Sequence, residues 1–159
     1  AEAYSNLALN QFALTNLEAS LRASQIGALL NQPEAMGLLA YFKIEAIHTD
    51  RDLSLAHKLI IDAEKLGADL SYLKNLDISY QFFKSHWTEV QSSLKRAGFF
   101  NGVADGVFGD DSSAALVAYQ LSNGLDVTKK LNLALLEHLG ILSDFNKHVE
   151  TQQYVYGTY

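Results

Sequence analysis

The residues that could perform chemistry are scattered along the chain and do not form a catalytic pattern. The five histidines, at positions 48, 57, 86, 138 and 148, show no H-E-x-x-H or other paired metal-binding spacing. Cysteine is absent, which excludes a thiol nucleophile and disulfides, and no serine lies in a G-x-S-x-G setting. The adjacent acids Asp110 and Asp111 have no second, facing carboxylate of the kind that glycoside cleavage needs. We therefore expect no enzymatic activity, no metal and no cofactor.

A short glycine-containing stretch carries the clearest local signal. In Asp105-Gly106-Val107-Phe108-Gly109 a carboxylate precedes two glycines, a pattern typical of a tight turn with positive φ. From Ser112 onward, apolar residues recur at helical spacing, and the acids just before it suit the positive end of a helix. The pattern predicts a helix that begins near Ser112 and stops before Gly124, because glycine readily adopts the left-handed conformation that ends helices.

Together with its flanks, this stretch resembles the helical peptidoglycan-binding domain found beside many bacterial wall hydrolases. The resemblance rests on a helix ending in a glycine and aromatics (90–100), the D-G-x-F-G turn (105–109), a helix closing on Tyr119-Gln120, the N-G-L-D-V-T link (123–128) and a third helix (131–139). It covers roughly residues 87–142. It implies a compact three-helix domain that holds the wall polymer in a shallow surface groove.

The resemblance also indicates where ligand contacts would lie, since the polymer offers amides, hydroxyls and sugar faces. The candidate ligand-binding residues are Phe99, Phe100, Asn101, Asp111, Ser112, Ser113, Tyr119 and Gln120. For Asp105, Gly106 and Gly109 we expect the structural role of shaping the turn. Tyr119 also fits a core position, and of Phe99 and Phe100 only one is expected to be buried.

Two positions depart from the family's pattern. Lys129 stands where the family usually has glycine, which changes the loop geometry or adds a charge. Leu135 stands where threonine is common, which replaces a hydroxyl with an alkyl group. A domain that keeps the fold but serves only for protein docking is therefore an alternative.

The first 84 residues read as a series of helices. The Thr15-Asn16-Leu17-Glu18 stretch has the form of a capping box that restarts a helix, and Gly27 is a candidate terminator. Pro33 suits the first turn of the next helix, which is predicted to run to about residue 47. A further helix is predicted from about residue 53 to 66 and is closed by Gly67, and another over 71–84.

These helices resemble a Sel1-like repeat, a relative of the tetratricopeptide repeat. The match lies in Ala35, Leu38, Leu39, Tyr41, Asp52, Ala56, Ala63 and Gly67, although Ala40 stands where the family usually has glycine. Small residues let the paired helices approach closely. The resemblance implies antiparallel helical hairpins that bind a protein partner.

Composition limits the other classes of partner. The formal net charge of −6 and the lack of a Lys/Arg run argue against nucleic acid and against an anionic membrane surface. No apolar run approaches the roughly twenty residues of a membrane span. The wall-binding resemblance implies a periplasmic or otherwise exported, cell-wall-associated protein.

The sequence thus predicts an all-α chain in three parts. These are a Sel1-like repeat segment (1–84), a peptidoglycan-binding-like domain (85–142) and a C-terminal tail (143–159). The layout is similar to the periplasmic part of bacterial polar-organelle development scaffolds, which implies a non-enzymatic scaffold that binds peptidoglycan with one part and a protein with the other. The alternative is a wall-targeting accessory region of a peptidoglycan hydrolase.

Overall fold

The computed structural model describes residues 2–78, 87–128 and 130–145. Within these ranges the regular structure is helical, apart from an isolated antiparallel bridge between Ile78 and Leu131, which confirms the all-α prediction. The described residues divide into two compact units, one ending at Lys74 and one running from Asn75 to Phe145. The predicted domain boundary near residues 84–86 and most of the predicted tail lie outside the described residues.

The first unit consists of helices joined by short turns. They are α1 (Ala3–Ala13), α2 (Leu17–Leu29), α3 (Pro33–Glu45), α4 (Leu53–Lys65) and the single-turn α5 (Ser71–Lys74). Helices α1 to α4 pack in succession, and α3 also packs on α1 and α5. The arrangement is consistent with the predicted antiparallel hairpins.

Small residues bring α2 and α3 close together, although not all in the predicted way. Gly27 is not a helix terminator, because it lies inside α2 where a Cβ atom would stand 2.4 Å from the Cβ of Ala35. Ala56 and Ala63, predicted to allow close packing, are fully buried on α4. The glycine at position 27 therefore serves helix approach, whereas α2 continues to Leu29.

Local signals place most helix starts in this unit. Pro33 occupies the first position of α3, as predicted, and the Asp52 side chain caps α4 by accepting a hydrogen bond of 2.9 Å from the Leu55 amide. A helix restarts at Leu17, but the predicted capping box does not form, because Thr15 has φ +61° and its hydroxyl donates to the Leu14 carbonyl. The helix predicted over 71–84 ends after one turn at Lys74, and residues 79–86 lie outside the described part.

The second unit contains the three helices that the resemblance implied. They are α6 (Trp87–Arg96), α7 (Asp110–Ser122) and α8 (Leu133–Leu139), followed by a 3-10 turn at Leu142–Phe145. Helix α6 packs on both α7 and α8. Their shared core consists of Val90, Leu94, Leu116, Leu133, Leu136 and Phe145, each fully buried.

Candidate functional site

A single side chain of α6 holds the glycine turn that precedes α7. The Gln91 oxygen accepts a hydrogen bond from the Gly106 amide at 2.8 Å. Its Nε2 donates to the Val107 carbonyl at 2.8 Å and to the Ser112 hydroxyl at 2.9 Å. Gln91 is almost completely buried, and its amide therefore ties the turn and the first turn of α7 to α6.

The turn has the conformation that its residue types indicate. Gly106 has φ +82°, in the left-handed region, and the Asp105 carboxylate accepts from the Val107 amide at 2.9 Å in an Asx turn. Gly109 is the N-cap of α7 with extended backbone. The shape-forming role expected for Asp105 and Gly106 agrees with this geometry.

Helix α7 begins two residues earlier than the sequence pattern predicts. Asp110 and Asp111 therefore lie in its first turn, where their charges favour the positive helix end, and neither caps it through a side-chain hydrogen bond. The helix ends at Ser122, and Gly124 follows with φ +67°, as predicted. The bend between the turn and the helix thus exists where the D-G-x-F-G motif places it.

Aromatic side chains fill the space around the turn. The Trp87 and Phe108 rings lie with centroids 3.9 Å apart, and Trp87 is buried. Gln91 and Trp87 thus contact the turn from α6, and Phe108 is the ring that the turn itself contributes.

A second aromatic group joins α7, α8 and the segment that follows α6. Tyr119 makes edge-to-face contacts with Phe99, at 5.4 Å between centroids, and with His138, at 5.5 Å. The Tyr119 hydroxyl also shares a hydrogen bond with Nδ1 of His138. Burial raises the pKa of Tyr119 above its ordinary value. Of this group, Phe99 is half-buried and His138 is exposed.

Several of the predicted ligand-binding residues have structural roles. Phe100 is buried, with its ring against Gly102 at a distance that leaves no room for a Cβ atom. Ser112 is buried as the partner of Gln91. Gln120 is 1% exposed, and its Nε2 donates to the Thr128 hydroxyl at 3.4 Å. Direct ligand contact by these side chains stays a prediction, and their burial favours a structural role.

The remaining candidates present polar or aromatic surface. Asn101 and Asp111 are exposed, while Ser113 and Phe99 are half-exposed. The structure brings Phe99 together with Tyr119, and it brings Ser112 to the turn. The exposed candidates are the groups that a polymer can reach without any rearrangement of the fold.

The outward face of α7 forms a shallow groove of about 400 Å³. It is lined by Asp110, Ser113, Ala114, Val117, Ala118 and Leu121. Ser113 is the residue of this set that the sequence predicted as a ligand contact. The others were missed, although helical spacing places them opposite the buried Leu116 and Tyr119, where apolar residues need a separate explanation.

The third helix is fixed by its ends and its core. Asn132 caps α8 by accepting a hydrogen bond of 2.9 Å from the Leu135 amide, and Gly140 ends the helix with φ +74°. Leu135 is buried, so the alkyl group at this departure from the family's pattern contributes to the core. The other departure, Lys129, lies outside the described residues.

Among the described residues no group of three or more His, Cys, Asp or Glu side chains could hold a metal ion. In the same ranges, no helix combines the length and the apolar character that crossing a bilayer demands.

The comparisons with known proteins agree with this geometry in one respect. No curated protein and no solved structure matches the chain. A family model does match, over the segment that contains α6, the glycine turn, α7 and α8. Residues 84–139 match the family described as "Putative peptidoglycan binding domain". This match confirms the peptidoglycan-binding resemblance seen in the sequence.

Proposed function

We propose that this protein is a non-enzymatic scaffold or anchor. It binds peptidoglycan through the segment at 84–139 and a protein partner through the Sel1-like helical hairpins. Its setting is the periplasm, or another exported location at the cell wall. The observation that carries the proposal is the Gln91-held glycine turn, which lies within the matched segment and leads directly into α7 with its shallow outward groove.

The chemistry of the groove suits the wall polymer. Asp110 and Ser113 supply an anionic and a hydroxyl partner at one end, which match the amide and amine groups of the peptide part of the polymer. Ala114, Val117 and Leu121 supply apolar surface for methyl groups along the rest. The exposed Asn101 and Asp111 provide further hydrogen-bonding groups in the same unit.

Co-sedimentation of the full chain with purified sacculi tests the proposal. The unaltered protein should pellet with sacculi, and Ala118→Arg should reduce the pelleted fraction strongly, because a long charged side chain then fills the groove. Ala97→Arg is the matched control, since Ala97 is also exposed in this unit but does not line the groove. Equal pelleting of both variants would exclude the groove as the contact. A full chain that stays in the supernatant would exclude wall binding itself.

The burial of Phe100, Ser112 and Gln120 favours a second candidate function, in which the domain keeps its fold and serves only for protein docking. This candidate predicts no pelleting with sacculi at any salt concentration. The same experiment therefore separates the two.

A further inference from the structure

A groove of about 400 Å³ lies in the first compact unit, between α1, α3 and the residues around α5. Its walls include Leu9 and Phe12 of α1, Leu38 and Tyr41 of α3, and Tyr72 of α5. These walls are largely apolar, and this volume accommodates one or two large side chains.

The floor of the groove depends on a glycine. Gly37 of α3 is buried, and a Cβ atom there would lie 2.9 Å from a methyl group of Leu70. Leu70 therefore packs directly against the α3 backbone, and both residues line the groove. The glycine sets the depth of the groove because a larger residue would push Leu70 outward.

The aromatic wall is held in place from behind. Phe12 meets Tyr41 edge-to-face with centroids 5.7 Å apart, and both rings contact Phe42, which is fully buried. Leu9 and Tyr72, by contrast, are 46% and 61% exposed. The groove thus combines a preformed aromatic wall with an exposed apolar rim, and isolated surface residues rarely produce this combination.

The groove carries a negative charge. Glu34, exposed in the first turn of α3, is the charged residue of the lining. Among residues 2–78, 87–128 and 130–145, the Glu34 carboxylate has no hydrogen-bond or ion-pair partner. A cation next to an apolar group is therefore the chemistry that complements this surface.

We propose that this groove binds a partner segment in which an aromatic side chain stands beside a lysine or arginine. The aromatic ring packs between Phe12, Leu38 and Tyr41, while the cation pairs with Glu34 and its alkyl stem covers the apolar rim. The inference rests on the proposed protein-binding role of the hairpins and specifies the chemistry of the partner. It concerns residues 9–72, outside the wall-binding segment.

Two dipeptide probes test it on the ¹⁵N-labelled full chain by NMR titration. Acetyl-Phe-Lys-amide should shift the amide signals of the groove residues. Acetyl-Phe-Glu-amide should bind about two- to fivefold more weakly, the ratio expected for one exposed ion pair. Glu34→Gln should remove this difference. Glu18→Gln, which removes a carboxylate from the first turn of α2 outside the groove, should keep it.

Four results would overturn the proposal. The first is the absence of groove shifts with either dipeptide, and the second is equal binding of both to the unaltered chain. The third is binding that occurs only when the chain ends at Phe145, which would make its own last residues the occupant. The fourth is groove signals that move with protein concentration alone, which would make a second copy the occupant. Sacculus pelleting reports on a different segment, so failure of either proposal leaves the other result in place.

Discussion

Replacement of the buried Gln91 by alanine should destabilise the second unit far more than truncation of an exposed α6 side chain. The Gln91 amide makes three hydrogen bonds, to the Gly106 amide, the Val107 carbonyl and the Ser112 hydroxyl. Each such bond contributes a net 0.5 to 1.5 kcal/mol, so their loss lowers the free energy of unfolding by about 3 kcal/mol. The turn loses its hydrogen bonds to α6 at the same time and keeps the ring contact between Trp87 and Phe108.

Urea unfolding followed by the fluorescence of Trp87 measures this effect directly. Trp87 is the one tryptophan of the chain and lies buried against Phe108 beside the turn. With a urea dependence of about 1.5 kcal/mol/M, the midpoint should fall by about 2 M. The matched control is Glu89→Ala, which truncates an exposed α6 side chain and should change the stability by less than about 0.5 kcal/mol.

Hydrogen exchange gives a second, local readout. The Gly106 amide, which donates to Gln91, should be protected in the unaltered protein and exchange much faster in Gln91→Ala. If Gln91→Ala unfolds at the same urea concentration as Glu89→Ala, the Gln91 amide does not hold the turn. The same conclusion follows if the Gly106 amide keeps its protection in the variant.

Three further outcomes follow from the structure. Gly27→Ala should lower the free energy of unfolding by about 1 to 3 kcal/mol, because its Cβ would overlap Ala35. Gly109→Ala meets open space and should cost less, about 0.5 kcal/mol, because alanine is a poorer N-cap than glycine. Thermal unfolding by circular dichroism compares the two variants, and equal melting temperatures would contradict the close packing of Gly27 and Ala35. Asn132→Ala should cost about 1 kcal/mol by removing the cap of α8, and an unchanged urea midpoint would show that the cap does not contribute. Because burial raises the pKa of Tyr119, the unfolded phenol ionises before the folded one as the pH passes the ordinary value of 10.0, so the free energy of unfolding holds below that pH and falls above it. Urea midpoints measured from pH 8 to 11 should therefore decline more steeply in the unaltered protein than in Tyr119→Phe. Parallel curves would refute this.

Features that depend on local sequence could be predicted well. Pro33 at the start of α3, the glycine turn and the end of α7 before Gly124 all follow from backbone preferences of single residues. Helical spacing predicts α7, and the family resemblance implies the three helices of the second unit. In the cases of Pro33, the glycine turn and Gly124, the backbone preference of the local residues is enough to predict the element, whatever distant contacts later stabilise it.

Features that depend on distant contacts could not be predicted. Gln91 holds the turn through partners that lie 15 to 21 residues further along the chain, and no pattern close to Gln91 indicates them. Gly27 satisfies the pattern of a terminator, and only the position of Ala35 shows that it permits close approach. Which of Phe99 and Phe100 is buried likewise depends on the neighbours that each ring contacts, and the structure buries Phe100.

The same reasoning explains the candidate site. Sequence selects polar and aromatic residues because these types bind polymers, but it does not show which of them the fold needs for itself. Ser112 and Gln120 have chemistry suited to a ligand and use it within the domain. Ala114 and Val117 have no distinctive chemistry and nevertheless line the groove.

The glycine turn is held through backbone atoms of its own residues, and the side chain of Val107 remains 67% exposed. Substitution of Val107 should leave the path of the chain intact, since the Gln91 amide contacts only the Val107 carbonyl and not its side chain. The residue that this loop shows to the solvent can therefore be varied, and its surface chemistry changed, without rebuilding the helices beneath. Natural selection has the same freedom, so the surface of this loop can diverge while the architecture stays constant.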